Sequence, residues 1–206
     1  MSVMRIVYVD DQIDEILSRY ISEVYCQVEL LETGGQRIEK IFEEVNFEED
    51  NTYESLLHNP QIRSANVILI DNHLFEERSA NLGRFSGKQF KVILRKLLPF
   101  VEVLIITQDD HLVGENIIHK FSGRHGENVD DYYRDHLDTM LDTAIKEVLE
   151  FEALADDLSQ STDVEKTLVD RILQSLQGDA SYDMLTKEDI DNLISSFKEL
   201  KDHCGS

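Results

Sequence analysis

Five side chains of this sequence that could do chemistry stand where short apolar runs stop. Arg5-Ile6-Val7-Tyr8-Val9 runs into Asp10 and Asp11. Val67-Ile68-Leu69-Ile70 runs into Asp71, and Asn72, His73 and Leu74 follow. Val103-Leu104-Ile105-Ile106 ends at Thr107, and Asn116-Ile117-Ile118-His119 ends at Lys120. Carboxylates gathered in one place repel each other and so favour a bound cation. A carboxylate beside positive charge is also a competent nucleophile toward a phosphoryl group, a reaction that depends mostly on positioning and electrostatics.

To gather these groups the apolar runs must be strands of one sheet. Unbroken runs of branched apolar residues bounded by polar ones are how strands buried on both faces read. In an open parallel sheet, ligands bind beyond the carboxyl ends of the strands, where each of these polar residues would stand. The connecting stretches supply helices. From Gln12 onward, Ile13, Ile16, Leu17, Tyr20, Ile21 and Val24 recur at helical spacing. Val28 to Leu31 reads as a short second strand, closed by Thr33-Gly34-Gly35, and Gln36 to Phe47 as a second helix with Ile38, Ile41, Phe42 and Val45 on one side. Thr52 to Leu57 is expected to form a further helical turn before Pro60. A third helix is expected from Lys88 to Leu98, ending at Pro99, with Phe90, Ile93, Leu94 and Leu97 inward and Lys88, Lys91 and Arg95 on the opposite face. That basic stripe is either a solvated face or a dock for acid, the chain's own C-terminal helices among the candidates.

The two acids after the first strand, the acid after the third, then Thr107 and Lys120, resemble in their order the receiver domain of response regulators, the CheY-like phosphoacceptor module of two-component signalling. The resemblance spans about residues 3–127. It implies a doubly wound α/β fold with a five-stranded parallel sheet, of the flavodoxin/CheY-like type. It implies that Asp71 is the phosphorylated nucleophile, and that Asp10, Asp11, Asp71 and the backbone carbonyl of His73 hold Mg2+. Lys120 would pair with Asp71 and then with the phosphoryl group, and Thr107 would hydrogen-bond a phosphoryl oxygen. The first helix is the usual docking face for a histidine kinase.

The chain departs from that pattern in four places. Phe75 stands near the usual Pro, and residues 76–85 form a polar insertion before the helix opener Ser86-Gly87. Ile117 occupies the position of the aromatic switch residue, three before Lys120. Phe121 stands where Pro usually follows the Lys. Only Gln108 through Glu115 separate Thr107 from Asn116, too few for a helix and two loops between parallel strands. The fourth helix is therefore expected to be reduced to a loop or single turn. If the last strand instead forms an antiparallel hairpin, Lys120 points away from Asp71.

Residues 128–206 are expected to form a separate acidic, helical extension of the 1–127 domain. Leu137, Leu141, Ala144, Val148, Phe151, Ala155 and Leu158 alternate four and three apart, a heptad seam on a long helix. Thr162 to Glu165 has capping-box form and opens a second helix, and Thr186 to Asp189 opens a third. The seam must be covered, either by those helices folding back or by a second copy, and a homodimer is the expectation.

The net charge is −22, with 22 acids to 13 bases in residues 1–127 and 20 to 7 in residues 128–206. DNA binding rests largely on Lys and Arg neutralising phosphates, so this half is a poor nucleic-acid reader. No apolar run approaches the roughly 20 residues of a membrane span, and no signal peptide is evident. Cys26 and Cys204 make no disulfide framework and have no metal-ligand spacing, which fits a reducing cytoplasm. Residues 179–190 resemble a calcium loop only superficially, because Met184 and Ile190 replace the required Gly and Glu. His136 reads as a helix-surface residue rather than a phosphoacceptor. The expected role is a cytoplasmic response regulator, not an enzyme, whose output is contact with a downstream protein through the C-terminal helices. The alternatives are a receiver-like scaffold independent of phosphorylation and a phosphatase-like hydrolase using Asp71. The last needs a second acid two residues on, where His73 stands.

Overall fold

A computed structural model describes residues 2–31, 37–48, 52–74, 86–98, 100–123, 126 and 128–160. The expected insertion at 76–85 and the expected helices after residue 160 lie outside the described residues.

The apolar runs form the sheet. Its strands are β1 (Ser2–Asp10), β2 (Leu30–Leu31), β3 (Arg37–Asn46), β4 (Val67–Asp71), β5 (Glu102–Thr107) and β6 (Ile117–His119). They lie in the order β2-β3-β1-β4-β5-β6. The five strands from β3 to β6 run parallel, in the strand order of the flavodoxin- and CheY-like fold. β2 adds an antiparallel edge. All five residues of β4 are buried, and it lies centrally between β1 and β5.

One expected helix is a strand. The spacing of Ile38, Ile41, Phe42 and Val45 predicts a helix over 36–47, yet within Arg37–Asn46 every residue from Ile38 on pairs with β1, from Ser2↔Ile38 to Asp10↔Asn46. The same spacing serves a strand covered on both sides. Ile38 and Phe42 face one layer of core, and Val45 with Phe47 faces the other. Spacings of three and four within a short apolar set fit both periods, and here the need of β1 for a parallel neighbour decides. The segment expected as the second parallel strand, 28–31, contributes only the antiparallel β2.

Helices cover both faces. On one side lie α2 (Tyr53–Leu57), α3 (Pro60–Arg63) and α4 (Gly87–Leu97), with Leu56, Ile62, Phe90, Ile93 and Leu94 against Val9, Ile70 and Ile105. Asn59 caps α3 ahead of Pro60, and Ser86 with Gln89 forms a capping box on α4. On the other side α1 (Glu15–Arg19), capped by Asp14, continues as a π-helical turn (Tyr20–Val24) and a 3-10 turn (Tyr25–Gln27). Beside it α5 (Val129–Tyr133), a second π-helical turn (Arg134–Asp138) and α6 (Thr139–Gln160) follow one another.

The first part of the heptad seam is covered by the sheet itself. Leu137, Leu141, Ala144, Ile145 and Val148 are buried against Tyr8, Leu104 and Ile106 of the sheet. Residues 129–148 thus close one sheet face, and the expected division at 127/128 falls where that closing layer begins. Beyond Val148 the character changes: Phe151 is 38% and Leu154 58% exposed.

The crossover from Thr107 to Asn116 carries no helix, as expected. It folds through tight turns, with Leu112 N donating to the Asp109 carbonyl at 3.1 Å and Ile117 N to the Gly114 carbonyl at 3.3 Å. β6 is nevertheless parallel to β5, with Thr107 opposite His119.

Two substitutions separate the two halves of α6. Leu141→Asp puts a carboxylate at a position with no exposure and should lose at least the 2–5 kcal/mol typical of emptying a core Leu site, about enough to abolish cooperative urea unfolding. Leu154→Asp should stay within about 0.5 kcal/mol of wild type in the same measurement.

Candidate functional site

Each strand delivers its polar residue to one edge of the sheet. Asp10 ends β1, Asp71 ends β4 and Thr107 ends β5, and all three are buried. Lys120 directly follows β6, and its backbone N–H donates to the Thr107 carbonyl at 2.8 Å, which extends the ladder by one residue.

The parallel β6 aims Lys120 inward. Its Nζ lies 2.7 Å from Asp10 Oδ2 and 3.0 Å from Asp71 Oδ1, with the lysine side chain 8% exposed. One ammonium therefore serves two buried carboxylates. Tyr8 sits two residues before Asp10 on the same strand, and its hydroxyl donates to Asp10 Oδ2. Gln12 N donates to Asp10 Oδ1 at 3.0 Å. Asp71 Oδ2 accepts from His73 N at 2.6 Å, so His73 contributes its backbone here while its side chain is exposed. Asp11 lies half-buried in the bend past β1. The Thr107 hydroxyl accepts from Asp109 N at 3.0 Å.

The charge balance shows in the titration of the pair. Burial holds the Asp71 carboxyl above the usual carboxylate range; Lys120 pulls it back, and Asp10 adds to the rise. For Lys120, burial alone would disfavour the ammonium, but Asp71 and Asp10 outweigh it and hold its pKa above the ordinary value.

Gly87 shapes the wall beside Asp71. A Cβ on Gly87 would stand 2.4 Å from the Asp71 carbonyl oxygen, so only glycine lets α4 start this close. Gly87 N donates to the Asn72 carbonyl at 2.8 Å, and Asn72 N to the Ile106 carbonyl at 2.8 Å. The Asn72 side-chain oxygen is buried without a hydrogen-bond partner.

The oxygens at this edge are of the hard type that Mg2+ takes. Two carboxylates facing one ammonium leave negative charge in excess, and Asn72 adds a buried oxygen with no donor. The donor chemistry fits a divalent cation. The arrangement is not a ready-made cage: no group of three or more His, Cys, Asp or Glu side chains converges to hold a metal among the described residues. The Lys120 ammonium stands between Asp10 and Asp71 instead.

Sequence reasoning missed three tyrosines. Tyr8 reads as one residue of a strand, and only its two-residue offset from Asp10 hints that it reaches the carboxylate. Tyr132 OH donates to the His119 carbonyl at 3.1 Å, and Tyr133 OH accepts from Phe121 N at 3.0 Å. The start of the last helix thereby grips the backbone on both sides of Lys120. Tyr133 packs against Tyr20 with the rings tilted at 38° and 5.4 Å between centres, and Tyr20 OH donates to Asp138 at 2.8 Å. The Tyr132 ring also meets the Phe121 ring, 5.4 Å between centres.

No known family model and no curated protein sequence matches the chain. Two solved structures of the RcsB response regulator of Salmonella typhimurium, described in terms of conformational dynamism for DNA interaction, align with it. The first covers 96% of this chain and 99% of its own at 12% identity, with a TM-score of 0.40. The second covers 95% and 98% at 12% identity, with a TM-score of 0.37. Scores of that size carry no argument, and the fold stands on the strand order and register above.

Removing the shared cation should have a pH signature. Lys120→Met leaves Asp10 and Asp71 buried without a counter-ion, which should cost about 3–5 kcal/mol near pH 7. Without Lys120 the native pKa of Asp71 rises further above its unfolded value, so the native state binds a proton that the unfolded chain does not. Stability of the variant should therefore recover relative to wild type as pH falls from neutral toward the unfolded carboxylate value. Urea unfolding at pH 7 and about pH 5 reads the difference.

Proposed function

We propose that the chain is an atypical receiver module whose Asp71 accepts a phosphoryl group from the phosphohistidine of a histidine kinase. Asp71 attacks phosphorus, the new bond is carboxylate oxygen to phosphorus, and the bond from phosphorus to the imidazole nitrogen breaks. The imidazole nitrogen keeps the electron pair. The observation that carries this reading is the Lys120 ammonium at 3.0 Å from Asp71. A hairpin would have turned it away; a parallel β6 reached through a helix-free crossover supports the chemistry.

Lys120 compensates the charge that arrives on Asp71. The Thr107 hydroxyl accepts from Asp109 N and so keeps its own proton to donate to a phosphoryl oxygen. Asp10, Asp11 and Asp71, with the His73 carbonyl, are the donors that would hold Mg2+, and the ion would neutralise phosphoryl charge that Lys120 alone cannot. Movement of Lys120 toward the phosphoryl group would pull on the His119 and Phe121 backbone that Tyr132 and Tyr133 hold. Output is read as contact with a downstream protein, in a cytoplasmic chain that pairs with a second copy. No helix among the described residues is long and apolar enough to cross a membrane.

A second reading is favoured by the same ammonium. Asp10 already has Tyr8, Lys120 and Gln12 N as partners, which describes a site closed without phosphate or metal: a receiver-like scaffold.

Acetyl phosphate or phosphoramidate separates the two. Wild type should gain one acid-stable, hydroxylamine-labile phosphoryl group in the presence of Mg2+, and Asp71→Asn should gain none. Lys120→Ala should bind Mg2+ about tenfold more tightly, since a competing charge close to the acids is gone, yet report phosphorylation poorly at Tyr132 and Tyr133 by fluorescence. A wild-type chain that takes no phosphate and binds no Mg2+ is the scaffold.

A further inference from the structure

Because the crossover to β6 carries no helix, α4 has no helical neighbour on that side among the described residues. A groove of about 430 Å3 lies there. Val92, Ile105 and Ile117 form its apolar floor, and Lys88, Lys91 and Arg95 its rim. Val92 is 49% exposed. In a chain of net charge −22 this rim is a concentrated positive stripe. Its cations are not all spent within the fold. Arg95 pairs with Glu102 at 2.8 Å, and the Lys91 ammonium donates to the Asn116 side-chain oxygen at 2.7 Å, but neither Lys88 nor Lys91 forms a salt bridge among the described residues, with Glu115 the acid that lines the groove. Burial, with Arg95 and Lys88 nearby, pushes the Lys91 pKa down to about 8 although Glu102 and Glu147 act the other way, so a further anion seated there would stabilise the ammonium.

An apolar floor with a basic rim suits an acidic amphipathic segment. The last turns of α6 are acidic, but α6 is packed on the other sheet face by Leu141, Ile145 and Val148, and only Glu147, midway along it, acts on Lys91. The 46 residues after Gln160 can. Within them residues 179–197 carry Asp179, Asp183, Glu188, Asp189 and Asp191 against Lys187 alone, with Ile190, Leu193, Ile194 and Phe197 at helical spacing. The 18 residues between Gln160 and Asp179 reach about 60 Å when extended. A domain of this size has a radius of gyration of about 15 Å, so the span to the groove is easily covered.

We propose that the groove beside α4 is the docking site of the chain's own residues 179–197, whose acids meet Lys88 and Lys91 and whose apolar face covers Val92 and Ile117. Docking shields this basic, apolar surface, and any outside acidic partner must displace the tail to use it. The groove lies on the sheet face opposite α6 and does not depend on Asp71 chemistry.

The full-length chain tests this in two ways. Zero-length carbodiimide coupling should join Lys88 or Lys91 to Glu188, Asp189 or Asp191, in a yield independent of protein concentration. In an equal mixture of light and heavy isotope-labelled chains, the joined peptides should be of one label only. Hydrogen exchange supplies the second readout: Lys88→Glu with Lys91→Glu should speed exchange in 185–197 by about tenfold, and adding Asp189→Lys with Asp191→Lys should restore protection. Mixed-label peptides would show that a second copy fills the groove, and would overturn the proposal. So would the absence of both the coupling and any exchange difference.

Discussion

One ammonium between two buried carboxylates is the constraint on which the rest of this structure depends. Asp10 and Asp71 end adjacent strands of a parallel sheet, and parallel pairing alone would bring two negative charges together out of water. Burying one unpaired charge costs several kcal/mol. Lys120, at 2.7 and 3.0 Å, makes the arrangement tenable. Its position depends on β6 running parallel, on the turns at 108–116, and on two tyrosine hydroxyls that hold the backbone at His119 and Phe121. Tyr8 and the backbone N–H groups of Gln12 and His73 take up further carboxylate oxygens. The edge is thus built to manage negative charge before any ligand arrives.

How much of this was legible in the sequence depended on how many signals each residue sent. β4 was plain, because a buried central strand admits no polar residue until its end. The shared edge of Asp10, Asp71 and Thr107 followed from strand ends alone, whereas Lys120 was undecided until β6 proved parallel, because a short crossover fits a hairpin as well. Residues 37–46 were not legible: with both faces half-covered, their apolar positions satisfied a period of 3.6 as well as a period of 2. The partner of the α6 seam was also hidden, since a heptad pattern tells that a stripe is buried but not whether a helix or a sheet buries it. Tyr132 and Tyr133 act through hydroxyls on backbone groups more than ten residues away, and nothing local in a sequence marks such bonds.

The last described helical run, α5 through α6, joins the core to the Lys120 backbone. Its first half is core, with Leu141 and Val148 sealed against the sheet, and its beginning touches the Lys120 strand through Tyr132 and Tyr133. The π-helical turn at Arg134–Asp138 lies between those two functions. Facing it, the π-helical turn at Tyr20–Val24 offers Tyr20 to both Tyr133 and Asp138. Wide turns of this type often mark functional places in helices, and here two of them meet beside the strand that carries the lysine.

The outer strands bear on solubility. A sheet edge with free N–H and C=O groups is a template for pairing with another chain. Here one outer strand, β6, has three residues and the other, β2, has two. Past Ile38, β3 runs on without β2 beside it, and that stretch carries Glu39, Glu43 and Glu44, while Lys40 is buried with its ammonium on the Tyr25 carbonyl. Charges spaced along such a stretch make the addition of a foreign strand costly, so newly made copies can crowd together without stacking edge to edge.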